Sequence, residues 1–250
     1  MKLSFMTFVC PNWEIEKVVG FAKDSGYDGV ELRIDEGHKH GISSRSSPAD
    51  RQRTLRLFHD NGIEVACVAT SNQFGVSDPV KLKGHVEDAK ANIRLAGDLE
   101  SKVVRIFAGG DSPMTDEVAD HIAGAFTDVG DYAKQFGITP MLETLHDIVK
   151  SAEDAMLVLK RIRTSNFGIL WNHSDIDAQS FNMLKGRIRH FHVHDEVLEP
   201  ENKNILNLAR LMKGINYDGY VSLEIIKGYD LPESLLIETA KRLKGYIAQA

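Results

Sequence analysis

Only two cysteines, Cys10 and Cys67, occur in 250 residues, both within strand-like apolar runs and with no CxxC or other zinc-type spacing. This excludes a disulfide framework and predicts two buried free thiols in a reducing cytoplasm. Basic residues are not in excess either: 30 Lys and Arg stand against 36 Asp and Glu, for a formal net charge of −6. A chain with that balance is not expected to bind the phosphate backbone of a nucleic acid. No stretch approaches the roughly 18 uninterrupted apolar residues of a membrane span. The N-terminal "MKLSFMTFVCPNW" lacks the apolar core and small-residue cleavage site of a secretory signal, so no membrane association is expected and a cytoplasmic location is. A glycine-rich phosphate turn is also missing after the first apolar run, where "FVCPNW" stands instead. That weakens the case for an open, doubly wound nucleotide-binding sheet.

What the chain does have is a strand-then-helix alternation, repeated eight times with no linker-like shift in composition. Strands are predicted over 2–8, 28–34, 63–70, 102–108, 137–144, 167–172, 187–194 and 219–226. Helices are predicted over 14–26, 47–62, 79–98, 115–136, 151–163, 177–185, 202–213 and 231–248. The phrases "DSGYDGVEL", "DNGIEVAC", "QFGITPML" and "NFGILW" each place a glycine between the end of a helix and an apolar strand, the usual stop signal for a helix. Mostly apolar strands, each followed by a helix, indicate parallel βα units. Eight units in 250 continuous residues fit an α/β fold of the (β/α)8 TIM-barrel type, with residues 1–250 as a single domain.

In such a barrel the chemistry sits at the C-terminal ends of the strands. Strand two ends near Glu31 and Arg33, and strand five runs into "MLETLHD" with Glu143, His146 and Asp147. Strand six ends in "LWNHSD", with Asn172, His173 and Asp175. Strand seven ends in "RHFHVHDE", and strand eight in "SLEIIK" with Glu224. Because side chains alternate along a strand, His190, His192 and His194 leave the same face at increasing height. Glu143 and Glu224 follow apolar residues directly, where an unpartnered carboxylate would be costly to bury. Two glutamates, an Asn or Asp and a histidine around the barrel mouth compose an oxygen-rich site for a divalent cation.

Taken in order, "WEIEKVVGFAKDSGYDGVELR", "MLETLHD", "FGILWNHSD", "HFHVHD" and "GYVSLEI" resemble the xylose isomerase-like TIM barrels, a superfamily of sugar and sugar-phosphate isomerases and epimerases. The resemblance runs over nearly the whole chain. It implies one divalent ion (Mn, Mg, Co or Zn) held by a Glu, an Asp, a His and a Glu on strands five to eight. Carried over by position, these places fall on Glu143, Asn172, His192 and Glu224. Asn172 departs from the family's Asp, and a neutral amide oxygen lowers the expected affinity for the ion. His190, two residues deeper, is expected to be a hydrogen-bonded histidine of the barrel interior.

The chemistry implied is proton transfer at the carbon beside a carbonyl, with Glu143 and Glu224 as the acid and base. Arg33, His146, Asp175 and His194 are the candidates for holding a sugar or polyol substrate. For His194, support of the metal ligands is an equal alternative. A dehydratase of the same superfamily, acting on a keto-inositol or shikimate-type acid, would share the early enolate chemistry. A sugar-binding barrel without catalysis is the third reading, suggested by Asn172. The endonucleases that share the fold need further histidine ligands on strands three and four, where this chain has "VATSNQ" and "RIFAGG". A lean barrel with short loops also suits pairing into a homo-oligomer.

Overall fold

The computed structural model describes residues 1–110, 113–173, 177–225 and 231–250. Its strands are β1 (Lys2–Met6), β2 (Gly29–Arg33), β3 (Glu64–Gln73), β4 (Val103–Phe107), β5 (Thr139–Thr144), β6 (Gly168–Trp171), β7 (Ile188–Val193) and β8 (Tyr220–Leu223). Each pairs in parallel with the next, and β8 returns to β1 through a register running from Lys2↔Tyr220 to Phe5↔Leu223, so the barrel closes. The helices are α1 (Ile15–Asp24), α2 (Pro48–Asn61), α3 (Pro79–Asp98), α4 (Asp116–Ala133), α5 (Ala152–Leu159), α6 (Ala178–Leu184), α7 (Lys203–Gly214) and α8 (Glu233–Gln249). Among the described residues no helix is long and apolar enough to cross a membrane.

Local chemistry accounts for most helix starts. Ser47 accepts from Asp50 N with Pro48 next in line, Asp78 accepts from Val80 N ahead of Pro79, and Asn202 accepts from Asn204 N and Ile205 N. Ser151 and Asp154 exchange hydrogen bonds as a capping box. Ends are less local. Helix α5 stops at Leu159 rather than at 163. There the Arg161 guanidinium ties the chain to Asp116 and Asp120 of α4, and Asn166 donates to Gly130 O and Ile138 O. Strand β3 continues to Gln73, past the expected 70, because the backbone from Phe74 to Gly75 bonds to Ala108 O beyond β4.

The outward side chains Leu32, Val68, Val104, Leu142, Ile169 and Phe191 are buried beneath the helices. Cys67, Val103, Met141 and Leu170 make a separate small cluster. Both cysteines are buried thiols outside any disulfide, as their apolar surroundings suggested. The polar residues Ser4, Glu31, Arg105, Glu143, His190, His192 and Ser222 are all buried on the strands as well. A parallel sheet covered on both faces is ordinarily lined by apolar residues. So many buried polar groups need partners, and finding those partners locates the site.

Candidate metal centre

Side-chain alternation carries β7 residues 190, 192 and 194 to one face. His192 is completely buried and stands at the crossing point of two sets of contacts. Its Nε2 lies 3.1 Å from each oxygen of Glu31, and His190 Nε2 lies 2.9 Å from Glu31 Oε2. A carboxylate can only accept there, so His192 carries its proton on Nε2 and its Nδ1 turns the other way. On that side Nδ1 is 3.1 Å from Glu224 Oε2, 3.3 Å from Asn172 Oδ1 and 3.6 Å from Glu143 Oε1.

Every one of these neighbours is an acceptor oxygen. A lone pair facing only acceptors is repelled unless a proton or a cation lies among them. Burial opposes protonation of His192, but Glu31 and Glu224 outweigh it and hold its pKa well above the usual histidine value. Burial likewise opposes ionisation of Glu224, and His192 with His194 outweighs that, holding its pKa well below the ordinary carboxylate range. Glu31 is kept ionised in the same way by His192 and His190, against its complete burial. Glu143, His192 and Glu224 each present a ligand atom within 4.8 Å of the others. Together with the Asn172 oxygen they fit a divalent cation in donor chemistry.

Arg105 lies against the opposite edge of Glu143, with Nε 3.3 Å from Oε2 and both side chains only 1% exposed. Its Nη1 donates to Thr70 O, and its guanidinium lies 3.8 Å from the centre of the Phe107 ring. The Phe107 ring also carries the His146 ring at 5.3 Å and the Arg33 guanidinium at 5.9 Å.

The family's sequence pattern, described as the xylose isomerase-like TIM barrel, matches residues 19–246. The chain belongs to that family. This xylose isomerase-like barrel has no match in sequence among curated proteins, whereas solved structures share its fold over their full length. The apo 3-keto-D-glucoside 4-epimerase YcjR from E. coli aligns with TM-score 0.81 at 14% identity, over 98% of this chain and 99% of its own. D-psicose 3-epimerase from Clostridium cellulolyticum H10, solved with D-tagatose, aligns with TM-score 0.81 at 14% identity, over 100% and 99%. The IolI protein, solved with a bound zinc atom, aligns with TM-score 0.81 at 18% identity, over 100% and 99%. At such identities the likeness is one of fold.

Of the residues singled out in the sequence of this barrel, Glu143, Asn172, His192, His194 and Glu224 come together. His194 Nε2 stands 2.8 Å from Asn172 Oδ1 and 3.1 Å from Glu224 Oε2. His190 is the interior histidine expected of it, bonded to Glu31. Arg33 is held in the wall. It donates to Ile34 O, Ala69 O, Glu36 and Ser71, while burial and the nearby Arg105 push its pKa down to about 10. His146 is half-exposed at the rim and paired with Asp147 at 3.1 Å. That bond raises its pKa against the effect of burial, with Glu143 and Glu224 adding to the rise. Asp175 lies outside the described residues.

Three residues of the site did not enter the candidate set: Glu31, Arg105 and Phe107. Alternation offered a signal for Glu31, which shares a strand face with the candidate Arg33.

Proposed function

We propose that this protein is a divalent-metal-dependent isomerase or epimerase of a sugar or sugar phosphate, working by proton transfer at a carbon next to a carbonyl. The observation that carries the reading is the convergence of two carboxylates, from β5 and β8, on the one imidazole nitrogen that Glu31 leaves free. The sugar epimerases among the structures of like fold agree with it. Glu143, Asn172, His192 and Glu224 would hold the ion, which when bound supplies Lewis-acid polarisation of a carbonyl oxygen.

The side chains do the rest. Glu224, kept ionised by His192 and His194, can take a proton from the substrate carbon. Glu143, on its own strand and buried beside Arg105, can return one once it has taken up a proton from water, while Glu224 gives its proton up to water. Return to the same carbon inverts the centre and gives an epimer; return to the neighbouring carbon gives an aldose–ketose pair. Phe107, with the half-exposed His146 against its ring, offers an apolar face and one ring donor for a hydroxylated chain.

Solvent-deuterium incorporation into a panel of ketoses and their phosphates, with and without added Mn²⁺, tests the reading. Exchange should appear with at least one substrate and should fall by roughly 10²–10⁴-fold in Glu143→Gln and in Glu224→Gln. Exchange that survives both substitutions overturns it. A second reading, a sugar-binding barrel without catalysis, is favoured by the neutral Asn172 and by the engagement of Glu143 with Arg105. It predicts ligand-induced stabilisation and no exchange at all.

A further inference from the structure

Asn172 is the one donor of the cation site whose two ends differ in kind. Turning a carboxylate over changes nothing, whereas turning an amide over replaces an acceptor oxygen by an NH2 group with no lone pair to give. The main chain around it is fixed: Trp171 pairs with Phe191 in the β6–β7 ladder, and the Trp171 indole N–H donates to His173 O at 2.7 Å. Asn172 is 4% exposed, so neighbours inside the site decide which end turns inward. One of them, His192 Nδ1, lies 3.3 Å from Asn172 Oδ1. With its lone pair free for an ion, that nitrogen would by itself draw in the NH2 end. His194 Nε2 lies closer, 2.8 Å from Asn172 Oδ1, and is 3.1 Å from Glu224 Oε2. Both of these partners are acceptors, so His194 Nε2 carries the proton and donates. A carbonyl oxygen has two lone pairs, and Oδ1 can take this hydrogen bond and still face the ion.

We propose that His194 is the positioning residue for Asn172: its Nε2–H selects the oxygen end of the amide and so makes a neutral side chain usable as a ligand. The inference rests on the reading of this cluster as a cation site and deepens it. His194 itself stays outside the coordination sphere and acts only through its hydrogen bonds. Strand order makes the reach possible, because β7 lies between β6, which carries Asn172 at its end, and β8, which leads into Glu224. An aspartate in place of Asn172 would need no such partner, since either of its oxygens can ligate. Asn172 and His194 therefore act as one unit, and the weight of the histidine depends on the asparagine being there.

Metal binding by the full-length protein, loaded with the metal alone, tests this without any substrate. Zn²⁺ and Mn²⁺ are titrated against chelators into wild type, His194→Leu, Asn172→Asp and the double variant, with Glu224→Gln as the control on the site. In the wild-type background His194→Leu should lower affinity by roughly 10–100-fold, the usual weight of a partner that orients a metal ligand. In the Asn172→Asp background most of that loss should disappear, so that the two changes are strongly non-additive. A merely structural effect of losing the ring would move both backgrounds equally. Nitrogen NMR of zinc-loaded wild type adds a readout that needs no variant to fold: His194 Nε2 should keep its proton, while the His192 Nδ1 resonance moves on loading. Equal losses in the two backgrounds, or a His194 Nε2 without its proton in the zinc-loaded protein, overturns the role of His194 and leaves the cation site standing. Failure of wild type to bind either ion, or an affinity indifferent to Glu224→Gln, overturns the cation site itself.

Discussion

Replacing Glu31 by glutamine removes one negative charge from the barrel interior with almost no change of shape. The wild-type carboxylate accepts from His190 Nε2 at 2.9 Å and from His192 Nε2 at 3.1 Å. A glutamine oxygen can accept from one of these, but its amide nitrogen must donate to the other, which then has to carry its proton on Nδ1. If His192 makes that change, Nδ1 no longer offers a lone pair to a metal. If His190 makes it, its proton moves to Nδ1 and its Nε2 must accept instead of donate. The cost to the metal-free protein is that of about one unsatisfied buried group, roughly 1–3 kcal/mol. For a chain of this size each kcal/mol is worth about 2–4 °C in Tm, so a fall of roughly 2–12 °C is expected. Partners that orient a metal-bound histidine are typically worth about 10–100-fold in metal affinity, and Glu31→Gln should lose that much. Thermal unfolding of metal-stripped protein gives the first number, and chelator competition with zinc gives the second. Wild-type zinc affinity in a folded Glu31→Gln protein would refute the claim that Glu31 sets the direction of His192.

Three further outcomes follow from the geometry. Met141→Ala should destabilise the protein by about 2–5 kcal/mol without changing metal affinity, because Met141 packs with Cys67, Val103 and Leu170; urea unfolding measures it. Gly110→Ala should be destabilising and should disturb the strand-end loops, since its φ is +121° and an added Cβ would sit 2.3 Å from Gly75 O; amide exchange at 74–75 and 108–110 would report the change. In acid, Glu31 and Glu224 have folded pKa values below their unfolded ones. Their contribution is therefore complete above about pH 4.3 and is lost as the pH falls toward the lowered values. His192 acts in the opposite sense: its raised pKa gives stability below about pH 6.5 that is lost only as the pH climbs past a much higher value. Metal-stripped protein should accordingly lose urea resistance between about pH 4.5 and 3, and Glu31→Gln should lose less of it. Parallel curves for the two proteins would count against the assignment.

The fold was legible because its signals are local. Glycine at helix ends, caps such as Ser47 and Asn202, and apolar strands at regular spacing each act over a few residues. The ring of strand ends could then be assembled by topology, and alternation along 189–196 put His190, His192 and His194 on one face, of which His190 and His192 are both buried against Glu31. Glu31 was harder to see. Its partners lie 159 and 161 residues away in sequence, and on β2 it reads as one carboxylate in a charged "ELR". Arg105 meets Glu143 only through the pairing of β4 with β5, which sets Arg105 opposite Met141, two residues before Glu143. Phe107 had no distinguishing pattern, because what matters about it is which three cationic or ring groups the barrel folds onto its face. Arg33 has the residue type of a substrate anchor, yet its donors are directed to main-chain carbonyls, Glu36 and Ser71, a distribution set by the β2–α2 loop and β3.

The bond between Glu31 and His192 joins β2 to β7, strands that are not neighbours anywhere in the sheet. No open sheet containing both strands, however complete its ladders, brings those two side chains together; only closure between β8 and β1 does so. Orientation of the histidine therefore depends on the ring being closed. An ion held at this centre would draw its stabilising effect specifically from the closed form.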